Sequence, residues 1–158
     1  MSFALINQYP RECVTNIETY AFYGCSSLTS IDIPEGITNI GEGVFGDCTS
    51  LTSIHIPENV TSIGVSAFGG CSSLTSIDIP KKVANIGEEA FAKCSSLKSI
   101  SSFNTTAPIL DNSDTDGNPV SVFDGLPTNG TLHVKPGATG YDAWLSELPS
   151  GWTIVEDL

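Results

Sequence analysis

Hydrophobic positions along this chain fall into columns 23 residues apart. Phe22, Phe45, Phe68 and Phe91 form one column, Leu28, Leu51, Leu74 and Leu97 a second, and Ile31, Ile54, Ile77 and Ile100 a third. Ile33, Ile56 and Ile79 keep the same step, as do Val14, Ile37, Val60 and Val83, and Ile17, Ile40, Ile63 and Ile86. Pro34, Pro57 and Pro80, then Gly41, Gly64 and Gly87, punctuate each period, and Cys25, Cys48, Cys71 and Cys94 recur with it. A period of this length marks a unit that cannot bury its own apolar face and must stack on copies of itself.

Within one unit, Leu51 to Pro57 alternates over its second half. Ile54 and Ile56 are expected to point inward and Ser53 and His55 outward, as in a strand. Pro57 ends the strand because it has no N–H to give. The stretch Ile63-Gly64-Val65-Ser66-Ala67-Phe68 has no such alternation and predicts one helical or 3-10 turn on the opposite side of the coil. Gly64 is expected to permit a sharp bend or a close pass against the next coil. Parallel strands about 4.8 Å apart would then line the concave face of a curved solenoid, with the turns on its convex face.

The run Leu74-x-x-Ile77-x-Ile79-Pro80, followed by Val83-x-x-Ile86-Gly87 and Ala90-Phe91-x-x-Cys94, closely resembles the BspA-like class of leucine-rich repeats, over residues 14 to 102. The fold class expected is α/β, a leucine-rich-repeat solenoid of right-handed coils, each a parallel strand plus a short helical or 3-10 turn. The position that carries an asparagine ladder in commoner leucine-rich repeats holds Gly36, Asn59 and Lys82, so no continuous ladder is expected. The resemblance implies a secreted or cell-surface protein of bacteria or parasitic protists. It also implies adhesion, with a protein partner: a host matrix or cell-surface protein, or the surface of another microbe.

Four segments follow. Residues 1–13 match the repeat poorly, with Gln8 and Pro10 where Ile31 and Ile33 would sit, and read as a weak cap or the stub of a longer array. Residues 14–105 hold four 23-residue repeats. Residues 106–134 form a degenerate repeat with an acidic insertion at Asp111 to Pro119. There Ser121 to Leu126 restarts the Ala-Phe-x-x-Cys signature, and Leu132 and Val134 predict a strand over 131–134. Residues 135–158 read as a C-terminal cap: Tyr141, Trp144, Leu145 and Leu148 have helical spacing, Pro149 and Gly151 stop the helix, and Trp152 to Val155 reads as a last strand. An array needs such a cap because its last coil otherwise leaves an apolar face and a strand edge open.

Composition narrows the functional classes. At 158 residues with 40% hydrophobic and 15% charged, the chain fits one domain with a core. The 18 Asp and Glu against 6 Lys and Arg give a net charge of -12, which repels nucleic-acid phosphates and anionic lipid and favours cationic partners. No apolar run reaches the ~18 residues of a membrane span. Met1 to Pro10 lacks a basic start followed by an apolar stretch, so no signal peptide is expected in this chain, which reads as cytosolic or as a mature or trimmed fragment.

Candidate chemistry is sparse. His55 lies one strand from Asp32 and from Asp78, beside Ser30, Ser53, Ser76 and Ser99, with Ser101 continuing the row and His133 on the predicted later strand. A Ser-His-Asp site would need a serine within reach and an oxyanion hole, yet Ser53 stands ~6.8 Å along the same strand. The row is therefore expected to contact ligand or solvent, with no catalysis and no cofactor. The cysteine column would place Cβ atoms about 4.8 Å apart, beyond the ~3.5–4.5 Å of a disulfide, so reduced, buried thiols are expected. Cys13 stands off the column and is the candidate reactive thiol, against a structural role in a turn. Asn112, Asp114 and Asp116 imitate the start of a calcium loop, but Phe123 holds the twelfth place where a bidentate Glu is required, and an acidic solvated loop is the competing reading. Asn59, Asn104 and Asn129 begin Asn-x-Thr sequons, which bear only on a eukaryotic secretory host.

Overall fold

The computed structural model describes residues 14–112, 117 and 120–158. Its elements are β1 (Asn39–Ile40), β2 (Ser62–Ile63), β3 (Ser76–Ile79), β4 (Asn85–Ile86), β5 (Ser99–Ser102), β6 (Ile109–Leu110), β7 (Thr131–Val134), α1 (Tyr141–Glu147) and β8 (Thr153–Glu156). Two parallel sheets run along the stack, one in the order β1-β2-β4-β6 and one in the order β3-β5-β7-β8. The second is prolonged toward the N-terminus by a parallel bridge between Asp32 and His55. The molecule is a parallel-strand solenoid in which each coil crosses both sheets.

The strand at 131–134 and the helix from Tyr141 stand where the spacing places them. The coil's other side departs from the expected helical or 3-10 turn. Ile63 belongs to β2, and residues 65–70 form hydrogen-bonded turns with no helix. Two left-handed residues in each coil prevent one. Tyr20, Gly43, Ser66 and Glu89 share one such column, and Gly24, Asp47, Gly70 and Lys93 the other. The backbone amides make the reason concrete. Ser66, Phe68 and Gly70 donate to the carbonyls of Glu88, Ala90 and Ala92 in the next coil, at 2.8, 2.9 and 2.8 Å, while Ala67 and Gly69 donate locally to Gly64 and Ser66. A helix would turn all these groups inward along its own axis and leave none for the neighbour. A non-glycine residue in the left-handed region costs roughly 1–2 kcal/mol. Ser66 and Glu89 are held there by inter-coil bonds on both sides of the turn.

Gly64 and Gly87 serve close approach between coils. A methyl on Gly64 would lie 2.8 Å from the carbonyl carbon of Gly41, and one on Gly87 2.7 Å from the amide nitrogen of Val65. The 23-residue glycine column is thus the line along which adjacent backbones touch.

The core runs along the axis as continuous columns. Phe22, Phe45, Phe68, Phe91 and Phe123 stack with centroids 5.4 to 6.2 Å apart and planes within 11° of parallel. Trp144 of α1 closes on Phe123 at 5.5 Å, and Tyr141 meets Trp144 edge-on. Full burial, as at Phe45, Phe68, Phe91 and Phe123, stabilises by about 1.5–3 kcal/mol per ring. The isoleucine column Ile33, Ile56, Ile79 is interrupted by Ser102, which is fully buried. Its hydroxyl accepts from Tyr141 Oη at 2.7 Å, so the C-terminal segment supplies the polar partner that this substitution in the column requires. The indoles of Trp144 and Trp152 donate to Pro108 and Pro127 carbonyls at 3.0 and 2.8 Å.

Candidate functional site

The polar row expected on the strands lies on the outer side of the longer sheet and its N-terminal extension. Ser76 pairs with Ser99, and Asp78 with Ser101. Ser99 and Ser101 then pair with Thr131 and His133, which pair in turn with Thr153 and Val155. Asp32 pairs with His55, and Ser30 and Ser53 precede them by two residues, exposed. The alternation in β3 and β5 turns Ile77, Ile79, Ile100 and Ser102 inward and leaves Ser76, Asp78, Ser99 and Ser101 facing out. The fold therefore assembles a row of short polar side chains across successive strands, at the spacing of the sheet.

Two carboxylates outside the repeat columns lie beside the histidines. His55 Nε2 lies 3.9 Å from Glu35 Oε1, with both side chains more than 65% exposed, so this ion pair contributes little to stability. His133 Nδ1 sits 2.9 and 3.0 Å from the two carboxylate oxygens of Asp157, beyond the end of β8. The repeat columns do not point to Glu35 and Asp157, because neither keeps the 23-residue register with its histidine. Thr131, Thr153 and Val155 join the same face, and Thr131 is within reach of sequence reasoning as the neighbour of Leu132.

Polar rungs also tie the coils together. Asn59 Nδ2 donates to Glu35 O at 3.2 Å, Lys82 Nζ donates to Asn59 Oδ1 at 2.8 Å, and Asn104 Nδ2 donates to Lys81 O and Val83 O at 3.1 and 2.8 Å. Asn104 stands 23 residues after Lys81, one place off the column of Gly36, Asn59 and Lys82, so the period does not mark it as a rung.

The thiols are structural in their geometry. Cys48, Cys71 and Cys94 are buried and unpaired by disulfides, and each S–H donates to a carbonyl of the preceding coil: Phe22, Phe45 and Phe68, at 3.2, 3.2 and 3.1 Å. Burial pushes the Cys94 thiol up to about 12. Burial first, then the neighbouring thiols, pushes Cys71 up as well, and burial raises Cys48. Such groups resist forming the thiolate that reacts or binds metal. Cys25 is exposed. Cys13 lies outside the described residues, as do Asp114 and Asp116; Asn112 accepts the Val120 amide at 3.0 Å through its backbone carbonyl and so closes the base of the insertion. Among the described residues no three His, Cys, Asp or Glu side chains gather as a metal-binding group, and no helix is long and apolar enough to cross a membrane.

The sequence profile of the BspA type leucine-rich repeat region matches residues 11–113 in six copies. The chain belongs to the BspA-type leucine-rich repeat family. Among solved structures, it is similar to a leucine-rich cell surface protein from Faecalibacterium prausnitzii, at 33% identity and a TM-score of 0.58 over 78% of this chain and 34% of that one. The T. pallidum leucine-rich repeat protein matches at 27% identity and a TM-score of 0.61, over 81% of this chain and 54% of that one. The pneumococcal vaccine antigen PcpA shares the fold, with a TM-score of 0.67 at 23% identity, over 94% of this chain and 40% of the antigen. The chain thus spans between a third and just over half the length of these structures. No protein of curated function matches it by sequence.

Proposed function

We propose that this chain is a protein-binding, adhesive module at the cell surface or outside the cell, and that the outer side of its longer sheet makes the contact. The observation that carries the reading is the in-register row Asp78, Ser101 and His133, continued by Asp32 and His55 in the earlier coils. Short polar groups on a backbone locked by two ladders lose little entropy on binding, and the acidic excess favours a basic patch on the partner. The partner class is a host matrix or cell-surface protein, or another microbe's surface protein. The chain's similarity to the leucine-rich cell surface protein from Faecalibacterium prausnitzii supports that placement. The row is read as a recognition surface. Residues 135–158 act as the cap that ends the array.

Surface plasmon resonance against immobilised matrix proteins tests the reading, with Asp32→Arg/Asp78→Arg as the variant. Binding by the parent chain that falls at least ~10-fold in the double variant, with the fold retained, is expected for charge pairs at an interface. Equal binding by both would remove the strand face from the interaction. A second reading, a spacer within a longer array, draws on the unbroken ladders and on the fraction of its relatives' length that the chain covers. It predicts that neither chain binds any matrix protein.

A further inference from the structure

We infer that the turn side of the first four coils carries a second binding site, separate from the strand face, which takes an arginine side chain of a partner protein. The site is a cleft of about 300 Å³ whose walls include Tyr23, Asp47, Gly69, Gly70, Glu89 and Lys93. Its origin is a repeat column filled unevenly. The place held by Tyr23 in the first coil is held by Gly46, Gly69 and Ala92 in the next three. The small residues leave a trough, and the tyrosine forms its end wall. The floor lies close against these side chains: a methyl at Gly46 would lie 2.8 Å from the Tyr23 ring, and one at Gly70 would displace Asp47 Oδ1.

Tyr20 and Tyr23 meet edge to face, with centroids 5.7 Å apart and planes at 85°, which makes an aromatic corner. They remain 49% and 54% exposed, although Phe45, Phe68 and Phe91 further along the phenylalanine column are buried. Neither ring is loose. Tyr20 Oη donates to Glu42, and Tyr23 Oη donates to Asp47 Oδ2 at 2.6 Å. Each phenol is thereby fixed beside an exposed carboxylate. A cation over such a ring gains from the π face and from the adjacent negative charge together. Asp47 and Glu89 outnumber Lys93 in the cleft wall, and Glu42 stands behind Tyr20, which disfavours anionic ligands. Of cationic side chains, a planar guanidinium fits best. It stacks on Tyr23 while its N–H fork meets the Asp47 carboxylate, whereas an ammonium is a point charge that satisfies only one of these.

The test is a titration of the chain with the peptide Gly-Arg-Gly, blocked at both ends, followed through the tyrosine ring signals by NMR. Its citrulline and lysine counterparts and maltotriose serve as comparison ligands. Saturable shifts at Tyr20 and Tyr23 with the arginine peptide, weaker with lysine and absent with citrulline, are expected. Asp47→Asn keeps an oxygen to accept from Tyr23 and removes only the charge; it should weaken binding at least ~3-fold, as should Tyr23→Ala. Glu58→Gln, an exposed carboxylate outside both sites, should leave it unchanged. Three results would overturn the site: no saturation with the arginine peptide, equal shifts with citrulline or maltotriose, or equal losses in Asp47→Asn and Glu58→Gln. The strand-face assay above can fail or succeed independently of this one.

Discussion

The first coil and the third carry the same residues at the same places and end in different environments. Phe22, Leu28 and Ile31 are only half-buried and Cys25 is exposed, while Phe68, Cys71, Leu74 and Ile77 are all but inaccessible. The difference cannot lie in each coil's own composition. Phe68 is stacked between Phe45 and Phe91 at 5.6 and 5.7 Å, whereas Phe22 has a described ring neighbour only in Phe45. Burial in this architecture is contributed by the coils on either side, and local sequence only makes a residue eligible for it.

The largest expected effect breaks that comparison directly. Phe68→Ala should cost about 3–5 kcal/mol, as a cavity between two fixed rings cannot collapse, while Phe22→Ala should cost less than half as much. Urea denaturation of the two variants measures the gap, and equal losses would mean that the first coil is covered as fully as the third. Next comes backbone contact. Gly87→Ala forces a methyl against Val65 N and should destabilise by roughly 1–3 kcal/mol. Gly24→Ala meets nothing within 4 Å, so its cost is confined to its left-handed φ of 69°. Thermal melts of the pair separate inter-coil contact from backbone strain.

The last effect appears only at alkaline pH and concerns the thiol column. Cys94 is held protonated up to about 12, above its value in the unfolded chain, and Cys71 is shifted in the same direction. The folded state therefore binds more protons than the unfolded state once pH passes the ordinary thiol value of about 8.5. Stability is fully present below that pH and is lost as pH rises toward 12. Urea melts at pH 8 and pH 10 should show the decline, and Cys71→Ala/Cys94→Ala should flatten it. A slope unchanged in that double variant would show that other groups titrate instead. Cys25, being exposed, should react with a thiol reagent in the native state while the buried three stay protected.

Much of the solenoid is legible in the residue pattern. A strict period exposes the columns, the alternation of Ile77 and Ile79 with Ser76 and Asp78 predicts the facing of β3, and the offset of Leu132 and Val134 from Leu126 places β7. The turn side is not legible in the same way. Its residues lack alternation because two left-handed positions per coil reverse the chain, and one column of these accepts tyrosine, serine and glutamate as well as glycine. Nothing in those side chains advertises the backbone conformation, so a short helix is the natural expectation. β1, β2 and β4 escape the pattern for a related reason. Two residues are too few to show a period, and what makes them a sheet is the ladder to the neighbouring coil.

The candidate site divides along the same line. Its strand-face residues can be named from the sequence because they occupy outward places in a repeating strand. Glu35 beside His55, Asp157 beside His133, and the corner of Tyr20 and Tyr23 cannot, since each depends on where non-equivalent parts of the chain meet. By itself, the sequence determined that identical units must stack and which side chains each offers to the stack, because periodic apolar spacing leaves no other way to exclude water. Only the tertiary structure decided which copies are fully enclosed, how the turns spend their amides and which charges become neighbours, because those outcomes belong to contacts between coils.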